Sequence, residues 1–152
     1  MIEKDWFVIT TQKGGDNANA MTANWAGIGF LWWEPVAFTF IRPQRFTHDL
    51  IDSTDAHSIA LFDEAYRKQL VFCGEASGRD TDKAKECGFT LLWHDGIPFF
   101  AEAEIVMLCR KMAKQPLSPD GFIDPVIGEK AYPERDYHDL YISKILKILV
   151  KK

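Results

Sequence analysis

From Trp6 to Thr11 the chain reads Trp-Phe-Val-Ile-Thr-Thr, a β-branched and aromatic run that predicts a strand. Lys13 to Asn17 follows with residues that accept positive φ, so a turn and a β-hairpin are expected. The second strand begins near Met21 and passes through Trp25 to about Leu31. Within it Gly27 and Gly29 alternate with Ile28 and Phe30, a pattern expected for a bulge or the close approach of another backbone. Glu34 and Pro35 interrupt the run, and Val36 to Ile41 has the length and composition of a strand buried on both faces. Pro43 is expected at the first position of a helix whose body is Thr47 to Asp52.

His57 to Phe62 predicts a fourth strand, and Asp63 a cap for a helix over Glu64 to Cys73 that Gly74 ends. A shorter helix is expected over Thr81 to Cys87, capped by Asp80 and closed by Gly88. Phe99 to Cys109 reads as a long strand. Lys114 to Asp139 holds four of the seven prolines, which predicts an extended surface excursion, a lid or a dimer arm. Leu140 to Val150 returns to strand, its β-branched content outweighing a helical alternative. About six strands with short inserted helices, without regular strand-helix alternation, imply a mainly β (α+β) fold, an antiparallel barrel forming one domain over 1–152.

Composition narrows the function. A net charge of -4 and a pI near 5.5 provide no basic field for a nucleic-acid backbone, so a small ligand or a protein partner is expected. No apolar stretch approaches the roughly 20 residues of a membrane helix, and the acidic, aromatic start is unlike a signal peptide, which predicts a cytoplasmic location. Cys73, Cys87 and Cys109 are odd in number and lack a CxxC pair, so they read as buried thiols. The histidines are spaced too widely for a local metal-ligand pair.

Three constellations carry candidate chemistry. Arg42, Arg45 and Thr47 crowd an expected helix start, where cations are disfavoured unless an anion is bound. The competing reading sends both guanidiniums to solvent or a distant carboxylate. Lys83 repeats the anomaly behind Ser77, Gly78 and Arg79, a turn whose N–H groups suit a phosphate; otherwise it pairs with Glu86 or Asp80. Asn19, Thr22, Asn24 and Trp25 lie along one strand, fit to bond and wall the edge of a heterocycle, or else to serve as ordinary hairpin and core.

The succession N-x-M-T-x-x-W (Asn19 to Trp25), R-P-x-R-x-T (Arg42 to Thr47), C-G (Cys73, Gly74), S-G-R-D-x-D-K (Ser77 to Lys83) and E-A-E-I-x-x-x-C-R (Glu102 to Arg110) resembles the flavin reductase-like, FMN-binding split-barrel family, on its flavoredoxin side. The resemblance implies a six-stranded Greek-key split β-barrel that dimerises with FMN near the subunit interface. It implies that Asn19, Thr22, Ala23, Asn24 and Trp25 contact the isoalloxazine, and that Arg42, Arg45, Thr47 and Lys83 hold the phosphate. The expected activity is an NAD(P)H-linked, FMN-dependent oxidoreductase, with NADH or NADPH stacking on the flavin. The alternatives are a non-enzymatic FMN electron carrier reduced by a redox partner protein, and a flavin-binding module without turnover. The chain departs from the family pattern at Asn24, and the roles of the 111–137 excursion and of His138 stay open.

Overall fold

A computed structural model describes residues 2–152. In chain order the elements are α1 (Ile2–Asp5), β1 (Phe7–Gly14), β2 (Asn17–Ala23), β3 (Ala26–Leu31), β4 (Glu34–Ile41), α2 (Phe46–Ser53) and β5 (Ala56–Leu61). Then come α3 (Arg67–Glu75), α4 (Lys83–Cys87), β6 (Leu91–His94), β7 (Ile97–Phe100), β8 (Ile105–Pro116), α5 (Pro125–Ala131) and β9 (Asp139–Val150). Seven strands form one antiparallel sheet in the order β2-β1-β5-β8-β9-β4-β3, and β6 and β7 form a separate hairpin. The fold is mainly β as expected, with more strands than the six anticipated.

The expected single strand from Met21 to Leu31 is two strands at opposite edges of the sheet, β2 and β3, joined only by Asn24 and Trp25. Three residue steps from Ala23 to Ala26 reach at most about 11 Å. The two edges therefore converge at this corner, and the sheet rolls into a barrel. Its interior is a cluster in which Phe7 and Ile9 of β1 meet Ala37 and Ile41 of β4, with Ile59, Met107, Cys109 and Tyr141 between them. The alternate face of the same strands, Val8, Ala60, Val106 and Leu108, packs under α3, α4 and the β6–β7 hairpin with Leu70, Phe89 and Phe100. β1 and β5 are buried on both faces, and this burial extends to the polar Thr10, Thr11, His57 and Ser58.

Other boundaries move for local reasons. The helix expected from Pro43 starts at Phe46, because Arg42 to Arg45 makes its own turn, closed by Arg45 N–H on the Arg42 carbonyl. The helix expected over Thr81 to Cys87 is α4, capped by Asp82 and not Asp80, with the Asp82 carboxylate accepting from Lys85 N–H and Gly88 left-handed at its end. Gly27 and Gly29 mark no bulge: β3 and β4 are in regular register, and the space goes to the Phe38 ring, which a Cβ on Gly29 would meet at 3.2 Å. The strand expected over Phe99 to Cys109 is split between β7 and β8, and β8 runs on to Pro116. It pairs with β9 through two irregularities that let the long ribbon bend.

His57 is fully buried beside Cys109, and both ring nitrogens lack a hydrogen-bond partner. Burial, reinforced by the nearby Lys111 charge, pulls its pKa down from 6.5 to about 4, so the folded protein holds it neutral. Between pH 6.5 and 4 the unfolded chain therefore binds a proton that the folded chain refuses. Stability from this group is complete above 6.5 and is lost as pH falls toward 4. Urea unfolding at pH 7.5 and pH 5 is expected to show an acid loss of which His57 contributes about 2 kcal/mol. His57→Leu removes that share; an unchanged pH dependence in the variant contradicts the assignment.

Candidate functional site

The corner that closes the barrel also exposes the chain. Thr22 and Ala23 pair with Val8 and Phe7, and the Thr22 hydroxyl donates to the Leu70 carbonyl at 2.6 Å, fixing the end of β2 to α3. Asn24 is exposed. Trp25, 43% exposed, lies 4.9 Å from the His138 ring, with Tyr132 edge-on at 6.3 Å. A groove of about 280 Å³ runs between Thr22 to Trp25 on one side and Phe40, Arg42 and His138 on the other. Next to it is a smaller, more enclosed cavity of about 90 Å³ among Arg45, Phe46, Thr47, Ser77, Gly78 and Lys83. Met21 and Arg45 border both, so groove and cavity adjoin in one depressed region of the surface.

The cations there have a structural cause different from the one expected. Arg45 precedes α2 in extended backbone, and Lys83 opens a helix of five residues, so neither arrangement needs an anion at a long helix start. Both side chains turn instead to the C-terminal end of α3, whose last carbonyls have no partner in the helix and favour positive charge. Lys83 Nζ donates to the Cys73 carbonyl at 2.8 Å and to the Ala20 carbonyl at 2.7 Å. Arg45 Nη2 donates to the Gly74 carbonyl, and its Nε points at Met21 Sδ.

Among the described residues neither cation forms a salt bridge, and Glu75 borders the cavity without bonding either one. The ammonium has a third hydrogen to offer. Burial lowers its pKa to about 8, and Arg45 pushes the same way; Arg45 itself is lowered by burial and then by Arg42. A buried ammonium and a half-buried guanidinium thus lie side by side with their charges uncompensated by a carboxylate.

The residues around the cavity are closely packed. Thr47 is buried and its hydroxyl accepts from Asn19 Nδ2 at 2.8 Å, while Asn19 Oδ1 is buried with no partner. Gly78 comes so close that a Cβ there would sit 1.7 Å from that oxygen. Arg79 lies over the Phe46 ring at 4.8 Å and pairs with Asp49 at 2.5 Å. Lys13 reaches the Gly78 carbonyl at 2.5 Å.

The expected site residues thus divide into three groups. Arg45, Thr47 and Lys83 share the cavity, with Asn19 behind Thr47 and away from the groove. Thr22, Ala23, Asn24 and Trp25 line the groove. Arg42 lines the groove too, and it is the one arginine for which the carboxylate reading holds: it pairs with Asp136, donates to the Ala131 carbonyl at 3.1 Å, and lies over the Tyr132 ring. Those contacts bind the 111–137 excursion to the barrel. Tyr132 and His138, joined from the Tyr132 hydroxyl to His138 Nδ1 at 2.8 Å, were not singled out as site residues, and only the fold brings them to Trp25. Burial and the Arg42 charge lower the His138 pKa to about 4, so its ring is neutral.

The fold is a split barrel, and solved structures share it. Flavoredoxin of Desulfovibrio vulgaris (Miyazaki F) superposes with a TM-score of 0.76 at 20% identity, over 97% of this chain and 69% of that one. The FMN-binding protein of Thermus thermophilus with bound p-hydroxybenzaldehyde gives 0.73 at 20%, over 97% and 71%. The NADH:FAD oxidoreductase of Streptomyces globisporus C-1027, in complex with NAD and FAD fragments, gives 0.72 at 13%, over 97% and 74%. No curated protein matches. The profile of the flavin reductase like domain matches residues 2–152, and the chain belongs to that family.

Gly78 tests how tightly the cavity wall is built. Gly78→Ala is expected to push the Ser77 to Arg79 turn off Asn19 and to cost about 1–3 kcal/mol in urea unfolding. A variant as stable as the parent contradicts the contact.

Proposed function

We propose that the depression binds FMN, with the phosphate in the Arg45–Lys83 cavity and the isoalloxazine along Thr22, Ala23, Asn24 and Trp25, and that the protein is an NAD(P)H-linked reductase of the flavin reductase type. The observation that carries the reading is the convergence of two carboxylate-free cations on adjacent carbonyls of α3, at a small cavity that adjoins a larger groove. A compact dianion on a flat body matches that shape and charge. Arg45 and Lys83 hold and neutralise the phosphate, Thr47 and the Ser77 and Gly78 amides supply neutral donors, and Asn19 fixes Thr47. Trp25 walls the ring, and Arg42 sets the groove's far side while remaining paired to Asp136.

Bound flavin supplies the hydride and electron chemistry, and the chain's share is to bind, orient and shield it. NADH or NADPH is proposed as the donor, entering beside Asn24, where the groove is open. The FMN-binding protein and the NADH:FAD oxidoreductase described above are named for flavin or nicotinamide ligands, which supports this choice of cofactors.

A homodimer is part of the same proposal. Ile28 and Phe30 lie on the side of β3 that continues the barrel interior, since their register partners are Ala37 and Pro35, yet they are 61% and 72% exposed. The neighbouring turn carries Trp33, 88% exposed, with both Trp32 and Trp33 at positive φ, an unfavourable conformation for large side chains. An edge strand with a bare core-facing side fits a second copy better than water. Sedimentation of the parent is expected to show a dimer and Phe30→Glu a monomer; a dimer unaffected by that charge contradicts this surface.

The purified protein loaded with FMN is expected to lose its visible flavin absorbance anaerobically on addition of NADH or NADPH. A spectrum that stays oxidised with both, and bleaches only when a reductase is supplied, favours the electron-carrier reading instead. Lys83→Ala and Arg45→Ala are each expected to weaken FMN binding by about 1–3 kcal/mol. In the parent, affinity also declines above pH 8 as free Lys83 loses its proton, because the phosphate complex requires the charged form. That alkaline decline disappears in Lys83→Ala; unchanged titrations in both variants contradict the phosphate assignment.

A further inference from the structure

Two cysteines that the proposed chemistry does not use stand behind the cation cavity. Cys73 in α3 and Cys87, the last residue of α4, place their Sγ atoms 3.6 Å apart, and both thiols are free. Cys73 is fully buried in the core beneath α3. Cys87 is partly exposed, its thiol also directed at the Gln69 carbonyl at 3.7 Å. Cys109 lies in the other core, with its thiol on the Met107 carbonyl.

The pair is mechanically tied to the cavity from both sides. The Cys73 carbonyl accepts from Lys83 Nζ, and Lys83 is one helical turn before Cys87 on α4. We propose that Cys73 and Cys87 form a dithiol–disulfide site, oxidised by hydrogen peroxide, whose closure loosens the hold of Lys83 on the ligand phosphate. The loss of affinity rests on the flavin reading above; the bond itself does not.

The step balances without a further reactant. The Cys87 sulfur, as thiolate, attacks one peroxide oxygen, the O–O bond breaks, and a sulfenic acid and hydroxide result. The Cys73 sulfur then attacks Cys87 Sγ, forming the S–S bond as the S–O bond breaks; the second hydroxide leaves, and the two thiol protons convert both hydroxides to water. Two thiols are oxidised by two electrons and one peroxide is reduced.

Burial raises the Cys73 thiol to about 12 and also raises Cys87, so both are protonated at neutral pH and the pair rests as a dithiol. Closing the sulfurs to a bond length of about 2.05 Å moves them together by about 1.5 Å. α3 and α4 must take up that movement, and the Lys83 contact lies between them.

The full chain, reduced or treated with hydrogen peroxide and then freed of it, is assayed by thiol titration in denaturant, intact mass, peptide mapping and FMN titration. Oxidation is expected to reduce the three titratable thiols to one, remove two hydrogens from the mass, join the peptides of Cys73 and Cys87, and weaken FMN binding several-fold, all reversed by dithiothreitol. Cys87→Ser is expected to show neither the bond nor the loss of affinity. Three thiols remaining after treatment, or a Cys73–Cys87 bond with unchanged FMN affinity, overturns the proposal. If the reduced protein binds no FMN, the flavin reading fails separately, and the thiol count still decides the bond.

Discussion

The C-terminal end of α3 is the constraint on which the site depends. Its final carbonyls must be satisfied, and no glycine cap follows: Ala76 leaves in extended backbone with its N–H on the Phe72 carbonyl. Lys83 and Arg45 complete the end from two directions, one from α4 and one from the approach to α2. That solution stabilises a helix end and concentrates positive charge beside a small cavity. Burial and the neighbouring Arg45 charge disfavour the Lys83 ammonium, and the proposed phosphate dianion would relieve that conflict. In the proposed complex, helix capping and phosphate binding use the same two side chains, and the two roles are compatible because the ammonium retains an unused hydrogen.

The barrel supplies the geometry that makes this possible. Asn24 and Trp25 join the two edges of a seven-stranded sheet, which brings Thr22 to the groove while Ala20, on the same strand, offers its carbonyl to Lys83. One strand thereby runs from the cavity to the groove. The excursion after β8 closes the other side through Arg42, Asp136, Tyr132 and His138. Its aromatic cluster of Phe122, Tyr132 and Tyr137 gives it a small core of its own against the barrel.

Much of the strand pattern was legible because β-branched runs such as Trp6 to Thr11 and Val36 to Ile41 are buried on both faces and carry little polar interruption. The turn at Trp32 and Trp33 was not legible, since tryptophan has no preference for positive φ. The Asp95–Gly96 turn was legible in principle: Asp-Gly between apolar runs is a strong hairpin signal, and both residues are left-handed there. Arg45, Thr47 and Lys83 were grouped through a dipole argument, and the fold brings them to one cavity for a different reason. Lys83 finds its acceptors 63 and 10 residues away, and no local pattern reports such contacts. For the same reason Arg42 was grouped with Arg45, although Asp136, 94 residues on, already neutralises it.

The central claim is that the paired cations exist to hold a phosphate, and riboflavin is FMN without one. The most direct measurement is the ratio of the riboflavin and FMN dissociation constants of the unmodified protein at pH 7 and low salt. Two charge-assisted contacts of about 1.5 kcal/mol each predict FMN bound tighter by a factor on the order of 100. Equal affinities for the two flavins contradict the account, whatever the protein's activity proves to be.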